Sequence, residues 1–202
     1  MTISFSDLEG GASNNKCSET YHGPSACSEI ECQNIRDYVL TLDPVPVLAT
    51  CFHSYSQLYL WPYGYAYDAY PENYEEIRDL AQEAVKALEA VHGTVFDPIN
   101  SADLCKYLFY ISIIQFYILI IYWLIYFLDP ASGASDDWYK SPRSEGGLGA
   151  RFTYTVELRD TGTHGFILPE NQIKPSGEEL WEAERVVFKK MIEVSNQNET
   201  MH

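Results

Sequence analysis

The residues best suited to chemistry are a histidine and a carboxylate, each at the end of a strand-like run. His53 follows the nearly all-apolar stretch Val45 to Phe52, in Cys51-Phe52-His53-Ser54-Tyr55-Ser56-Gln57. Glu157 closes an alternating run from Arg151, with Phe152, Tyr154 and Val156 on one side. Ligands bind outside the carboxyl ends of strands in open α/β sheets. A histidine and a carboxylate at such a place can ligate a metal ion and move protons on water. Each also has a plain structural explanation: a histidine satisfied in the core, and a Glu157–Arg159 ion pair. Singly, neither specifies a function.

The elements that must position them follow from pattern. Ser28-Glu29-Ile30-Glu31 reads as a capping box opening a helix with Ile30, Ile35, Tyr38 and Val39, which ends before Pro44. The apolar run from Val45 to Phe52 predicts a central strand buried on both faces. Gln57 to Trp61 predicts a second strand, and Pro62-Tyr63-Gly64 a turn. Tyr74 to Val91 is strongly amphipathic, with Ile77, Leu80, Ala81, Ala84, Leu88 and Val91 on one face and His92-Gly93 closing it. Ser176-Gly177-Glu178-Glu179 predicts the start of a last helix with Leu180, Val187, Phe188 and Met191 in the core. Strands alternating with helices predict an α/β domain, a mixed β-sheet flanked by helices.

Composition narrows the partners. Thirteen basic against 29 acidic residues give a net charge of −16. That balance offers no basic surface to release phosphate counterions, which argues against a nucleic-acid partner. An acidic surface serves solubility, and would also speed encounter with cationic peptides. Five cysteines without a C-x-x-C pair argue against a structural zinc cluster and leave disulfide pairing open. Asn198-Glu199-Thr200 is a glycosylation sequon near the end of the chain. Met1 to Asp7 has neither the basic nor the apolar region of a signal peptide.

Several blocks together resemble the zinc metallocarboxypeptidases of the pancreatic A/B type. They are Cys17 to Pro24, His53 to Gln57, Trp61 to Tyr65, Ala131 to Trp138 (Ala-Ser-Gly-Ala-Ser-Asp-Asp-Trp) and Glu157-Leu158-Arg159-Asp160-Thr161-Gly162. Gly165 to Pro169 and Gln172 to Pro175 complete the series. They run in family order over about 9–104 and 130–193, the C-terminal half of the metallocarboxypeptidase fold. The resemblance implies a peptidase that removes C-terminal residues. His53 would be one of three zinc ligands, and Glu157 the base that deprotonates the water zinc activates. Ser54, Tyr55 and Phe166 would line the substrate cleft. Asp136 would floor the side-chain pocket, where an acid favours C-terminal Lys or Arg. Peptide and protein C-termini are the implied partners, zinc the implied cofactor, and the extracellular space the implied location.

The sequence also departs from that family. Two zinc ligands come from an early His-x-x-Glu there, yet His22, His92 and His164 are followed three residues on by Ser25, Val95 and Ile167. The oxyanion-stabilising arginine and the Asn-Arg pair that grips the substrate carboxylate would lie upstream of the matched region, where only Met1 to Asp7 stands. Cys17 matches a half-cystine whose partner would also lie upstream. The expectation is a truncated, inactive chain with bare sheet edges. A non-catalytic peptide- or partner-binding fragment is the alternative.

The resemblance breaks at 105–129. Tyr107 to Leu128 is 22 residues without a charge, long enough to span a bilayer. Its composition of Ile, Tyr, Leu and Phe, without Ala, Gly or Val, is unlike most membrane helices. Those types share A/T-rich codons. Cys105-Lys106-Tyr107 can be written TGTAAGTAT, containing a splice donor, and Leu128-Asp129 as TTAGAT, containing an acceptor. The segment therefore reads as a translated intron. Its removal would join Leu104 to Pro130 through one tyrosine, the residue with which the family closes over its substrate. A membrane anchor over 107–128 and a buried insertion are the alternatives.

Overall fold

A computed structural model describes residues 11–104 and 130–199. The apolar segment at 105–129, with its intron, membrane and insertion readings, lies outside the described residues, as does the sequon's Thr200. The elements are α1 (Ile30–Leu40), β1 (Leu48–Ser54), β2 (Leu58–Trp61), α2 (Tyr74–His92), β3 (Asp97–Asn100), α3 (Ser135–Lys140), β4 (Phe152–Leu158) and α4 (Glu170–Glu199). Short 3-10 turns cover Ser101–Asp103 and Arg143–Glu145. The chain divides into two compact units.

Of the described residues, one unit comprises 47–61, 72–99 and 152–199. Its four-stranded mixed sheet has the order β1-β4-β2-β3, with β1 parallel and β2 antiparallel to β4. Helices α2 and α4 pack together, and their apolar faces meet one face of the sheet in a core that includes Tyr59, Ile77, Leu88, Phe152, Tyr154 and Val187. Each such side chain contributes about 1.5–3 kcal/mol on burial. The amphipathic reading of α2 holds: Ile77, Leu80, Ala81, Ala84, Val85 and Leu88 are buried, and Gly93 closes the helix at φ 75°. A left-handed residue at that position suits glycine. Tyr154 donates from its hydroxyl to the Ile77 carbonyl at 3.0 Å, and Tyr59 donates to Glu184 at 3.1 Å.

Three local expectations are corrected. β1 is an edge strand among the described residues and is only partly buried, with Phe52 53% exposed. Its partner Val156 is wholly buried, so the helical cover runs out at this edge. α4 starts at Glu170, six residues before Ser176, and carries Pro175 inside it. Its Phe188 faces solvent, while Ala183, Val187 and Val194 enter the core.

Of the described residues, the other unit comprises 11–46, 62–71, 100–104 and 130–151. Here α1 begins after Glu29, not Ser28, and has no side-chain cap, because the Ser28 hydroxyl donates to the Glu29 carboxylate at 2.9 Å. None of α1 is buried. Cys27 and Cys32 form a disulfide, and Cys17 is an exposed thiol. Among the described residues no helix is long and apolar enough to cross a membrane.

Candidate active site

Strand pairing brings His53 and Glu157 together. Phe152, Tyr154 and Val156 point into the core, so alternation turns Thr153, Thr155 and Glu157 to the opposite face. Parallel pairing sets Cys51 beside Thr155 and His53 beside Glu157. His53 Nδ1 then stands 3.4 Å from Glu157 Oε1, with the imidazole 67% exposed and the carboxylate 18%. Buried Leu58 is the partner of Glu157 on β2, on its other side. Burial pushes the Glu157 carboxyl above the ordinary glutamate range, and the nearby His53 partly opposes that rise. Its Oε2 is buried without a hydrogen-bond partner. A carboxylate with raised proton affinity and one uncommitted oxygen is equipped to take and return a proton.

The same pair can be tested against a zinc ion. A catalytic zinc needs three protein ligands and a water. Among the described residues no group of three or more His, Cys, Asp or Glu side chains could hold a metal ion. One imidazole beside one carboxylate does not meet that requirement, so the described donor set does not fit a catalytic zinc by itself.

Beyond His53, Ser54 ends β1 and joins Tyr55 through a cis peptide. Tyr55 and Phe166 meet edge to face, with ring centres 5.0 Å apart. Phe166 is 78% exposed. A Cβ added at Gly162 or Gly165 would stand 3.5 or 3.4 Å from the Tyr55 ring, so both glycines lie against it. The turn carrying them is tied by Asp160, whose carboxylate accepts from the amides of Gly162 and His164, each at 2.8 Å. Asp160 and the ties of Arg159 were not anticipated as site support. Glu157 does not pair with Arg159. The guanidinium instead forks onto the buried Glu179, with Nε 2.8 Å from Oε2 and a second contact from its NH2 group to Oε1.

In the other unit, Asp136 and Asp137 occupy the first turn of α3 and are both buried. The Ser101 hydroxyl donates to Asp136 at 3.2 Å. Asp137 accepts from the amides of Gly64 at 2.8 Å and Tyr65 at 3.0 Å, pinning the Pro62-Tyr63-Gly64 turn. Burial, with the adjacent Asp136 adding to it, pushes the Asp137 carboxyl up to about 8, although those two amides favour its charged form. A Cβ at Gly64 would come within 3.0 Å of the Ser101 side chain, which explains the glycine. Thus the site residues expected from sequence fall into two sets: His53, Ser54, Tyr55, Glu157 and Phe166 in one unit, Asp136 in the other.

A family profile described as "Zinc carboxypeptidase" matches residues 4–183. The chain is 41% identical over 184 residues to carboxypeptidase B of Astacus astacus, covering 91% of this chain and 51% of that protein. It is 41% identical over 171 residues to mouse carboxypeptidase A1, covering 85% of this chain and 33% of that one. Among solved structures, thrombin-activatable fibrinolysis inhibitor superposes with a TM-score of 0.73 at 29% identity, over 91% of this chain and 39% of that chain. The chain spans about half the length, or less, of the curated relatives it matches.

Proposed function

The chain belongs to the zinc carboxypeptidase family, and from that premise we propose that its residues serve the removal of C-terminal amino acids, Lys or Arg by preference, from peptides. The single observation that carries this reading is the His53–Glu157 pair, 3.4 Å apart at the carboxyl ends of β1 and β4. His53 would supply one of the ligands of a zinc ion, which would lower the pKa of the attacking water. Glu157 takes a proton from the attacking water and returns it to the leaving amine, as its raised proton affinity suits. Tyr55, Phe166 and Ser54 line the approach of the peptide. Asp136 receives the basic side chain, and the similarity to carboxypeptidase B supports that preference.

We further infer that these 202 residues do not hydrolyse peptides by themselves. One imidazole supplies a single ligand, and affinity for a metal comes from several held together. The Cys27–Cys32 disulfide supports an extracellular setting, since such bonds persist in oxidising compartments. A membrane-anchored product would depend on residues 107–128, and fractionation of the expressed chain decides it: recovery in the soluble fraction excludes the anchor.

The central experiment is a chimera. The part of the Astacus astacus carboxypeptidase B that this chain does not cover is joined to residues 9–104 and 130–193, with a single tyrosine placed between Leu104 and Pro130. Hydrolysis of an arginine-terminated peptide is then measured for the chimera, its His53→Ala and Glu157→Gln variants, and the 202-residue chain. Activity in the chimera alone is expected. A folded chimera that is inactive, or one indifferent to Glu157→Gln, sinks the reading.

A further inference from the structure

We propose that Arg159 is a positioning residue which fixes the end of β4 and the turn from Asp160 to Phe166, and so sets where Glu157 and the Tyr55–Phe166 pair stand. The assignment of roles to those residues rests on the proposed function; the clamp itself rests on geometry alone.

Arg159 lies two residues beyond Glu157 and immediately before Asp160. Its side chain is 14% exposed and that of Glu179 is 1% exposed. Besides the fork onto Glu179, one NH2 nitrogen donates to Thr94 Oγ1 at 2.7 Å and another terminal nitrogen to Gln172 Oε1 at 3.3 Å. The Thr94 hydroxyl donates to Glu179 in turn, at 2.5 Å. These partners come from the connection after α2 and from the first turns of α4. One guanidinium therefore ties the strand end to two other elements through planar, charge-assisted bonds that only its fork geometry can make together. Downstream, the Asp160 tie and the packing of Gly162 and Gly165 on Tyr55 carry that restraint to Phe166. Upstream, the backbone of Leu158 accepts from the amides of Ser56 and Gln57, both at 3.2 Å, so the segment after Tyr55 is held to the same strand end. The chain thus leaves β4 restrained on both sides, and the side chains that flank His53 share one anchor.

The test needs no catalysis, so its failure would leave the proposed reaction standing, and failure of that reaction would leave the clamp standing. In the 202-residue chain, the amide and α-proton signals of Gly162 and Gly165 report ring currents from Tyr55. At one fixed pH, the His53 ring signals report its contact with Glu157. Arg159→Lys keeps the charge and loses the fork. The expected result is loss of the glycine ring-current shifts and displacement of the His53 ring signals, while signals from the α2 core stay in place. Gln172→Ala, which removes one of the partners, should give a smaller shift in the same direction. Retention of the glycine shifts in Arg159→Lys overturns the proposal. So does collapse of all dispersed signals in that variant, which would make Arg159 a general stabiliser of the fold.

Discussion

His53 and Glu157 are register partners in neighbouring parallel strands, and their side chains meet at 3.4 Å. Their proximity follows from strand pairing and alternation, not from the path of a loop. The contact is therefore as firm as the sheet beneath it. Its weak side is outward: His53 is two-thirds exposed, whereas Glu157, with Leu58 as its register partner on β2, is largely covered.

Replacing Glu157 by glutamine in the active chimera removes the proton acceptor while keeping the shape of the side chain. Loss of a positioned acid–base group lowers rate by about 10²–10⁴-fold. The loss should appear in kcat, with KM little changed, in steady-state kinetics on an arginine-terminated peptide. An equal rise in KM with kcat intact would assign Glu157 to binding.

Asp136→Ala, in the same chimera, should erase the preference for basic residues. A hydrogen bond to a charged group is worth about 1.5–3 kcal/mol, or roughly 10- to 100-fold in relative kcat/KM. Comparing peptides that end in arginine and leucine measures it. An unchanged ratio would remove Asp136 from the pocket.

The folded Asp137 carboxyl titrates at about 8 against an ordinary 3.8, through burial first and the adjacent Asp136 second. A group raised on folding gives stability that is complete below the ordinary value and is lost as pH rises through the folded one. The stability of the unit holding α3 should therefore decline between about pH 4 and 8. Asp137→Asn should flatten that slope. Thermal midpoints from pH 5 to pH 9 provide the check, and parallel curves for the two proteins would contradict it.

Leu88 is fully buried between α2 and the sheet. Truncation to alanine removes buried carbon and leaves a cavity, at a cost of about 2–5 kcal/mol. Urea denaturation should show a lower midpoint with an unchanged slope. A loss below about 1 kcal/mol would mean the core collapses readily around the gap.

How much of this was legible in the sequence depended on the range of the cause. α2 and β4 were read nearly to the residue, because a 19-residue amphipathic period and a strict alternation are local signals. The apolar run of β1 signalled a strand, but its burial depends on neighbours that no local pattern reveals. Ser28 had a capping sequence, yet its hydroxyl turned to Glu29. The candidate site residues rest on whole blocks of sequence, not on any single motif. Their supports were not legible: Arg159 appeared the obvious partner of Glu157, but the strand ends at Leu158 and its side chain reaches Glu179, 20 residues on. Asp137 meets Gly64 across 73 positions, a distance at which spacing says nothing.

The position of β1 at the rim of the described sheet bears on handling the protein. Among the described residues no strand pairs with its other side, and the edge of a sheet is where a further extended strand can add. From Leu48 to Ser54 no permanent charge stands in the way. Repulsion between copies bearing −16 keeps them apart in dilute buffer. Added salt shortens the reach of that repulsion, to about 10 Å at 0.1 M and about 3 Å at 1 M. Clumping should therefore set in as ionic strength rises, the reverse of what salting-in would give.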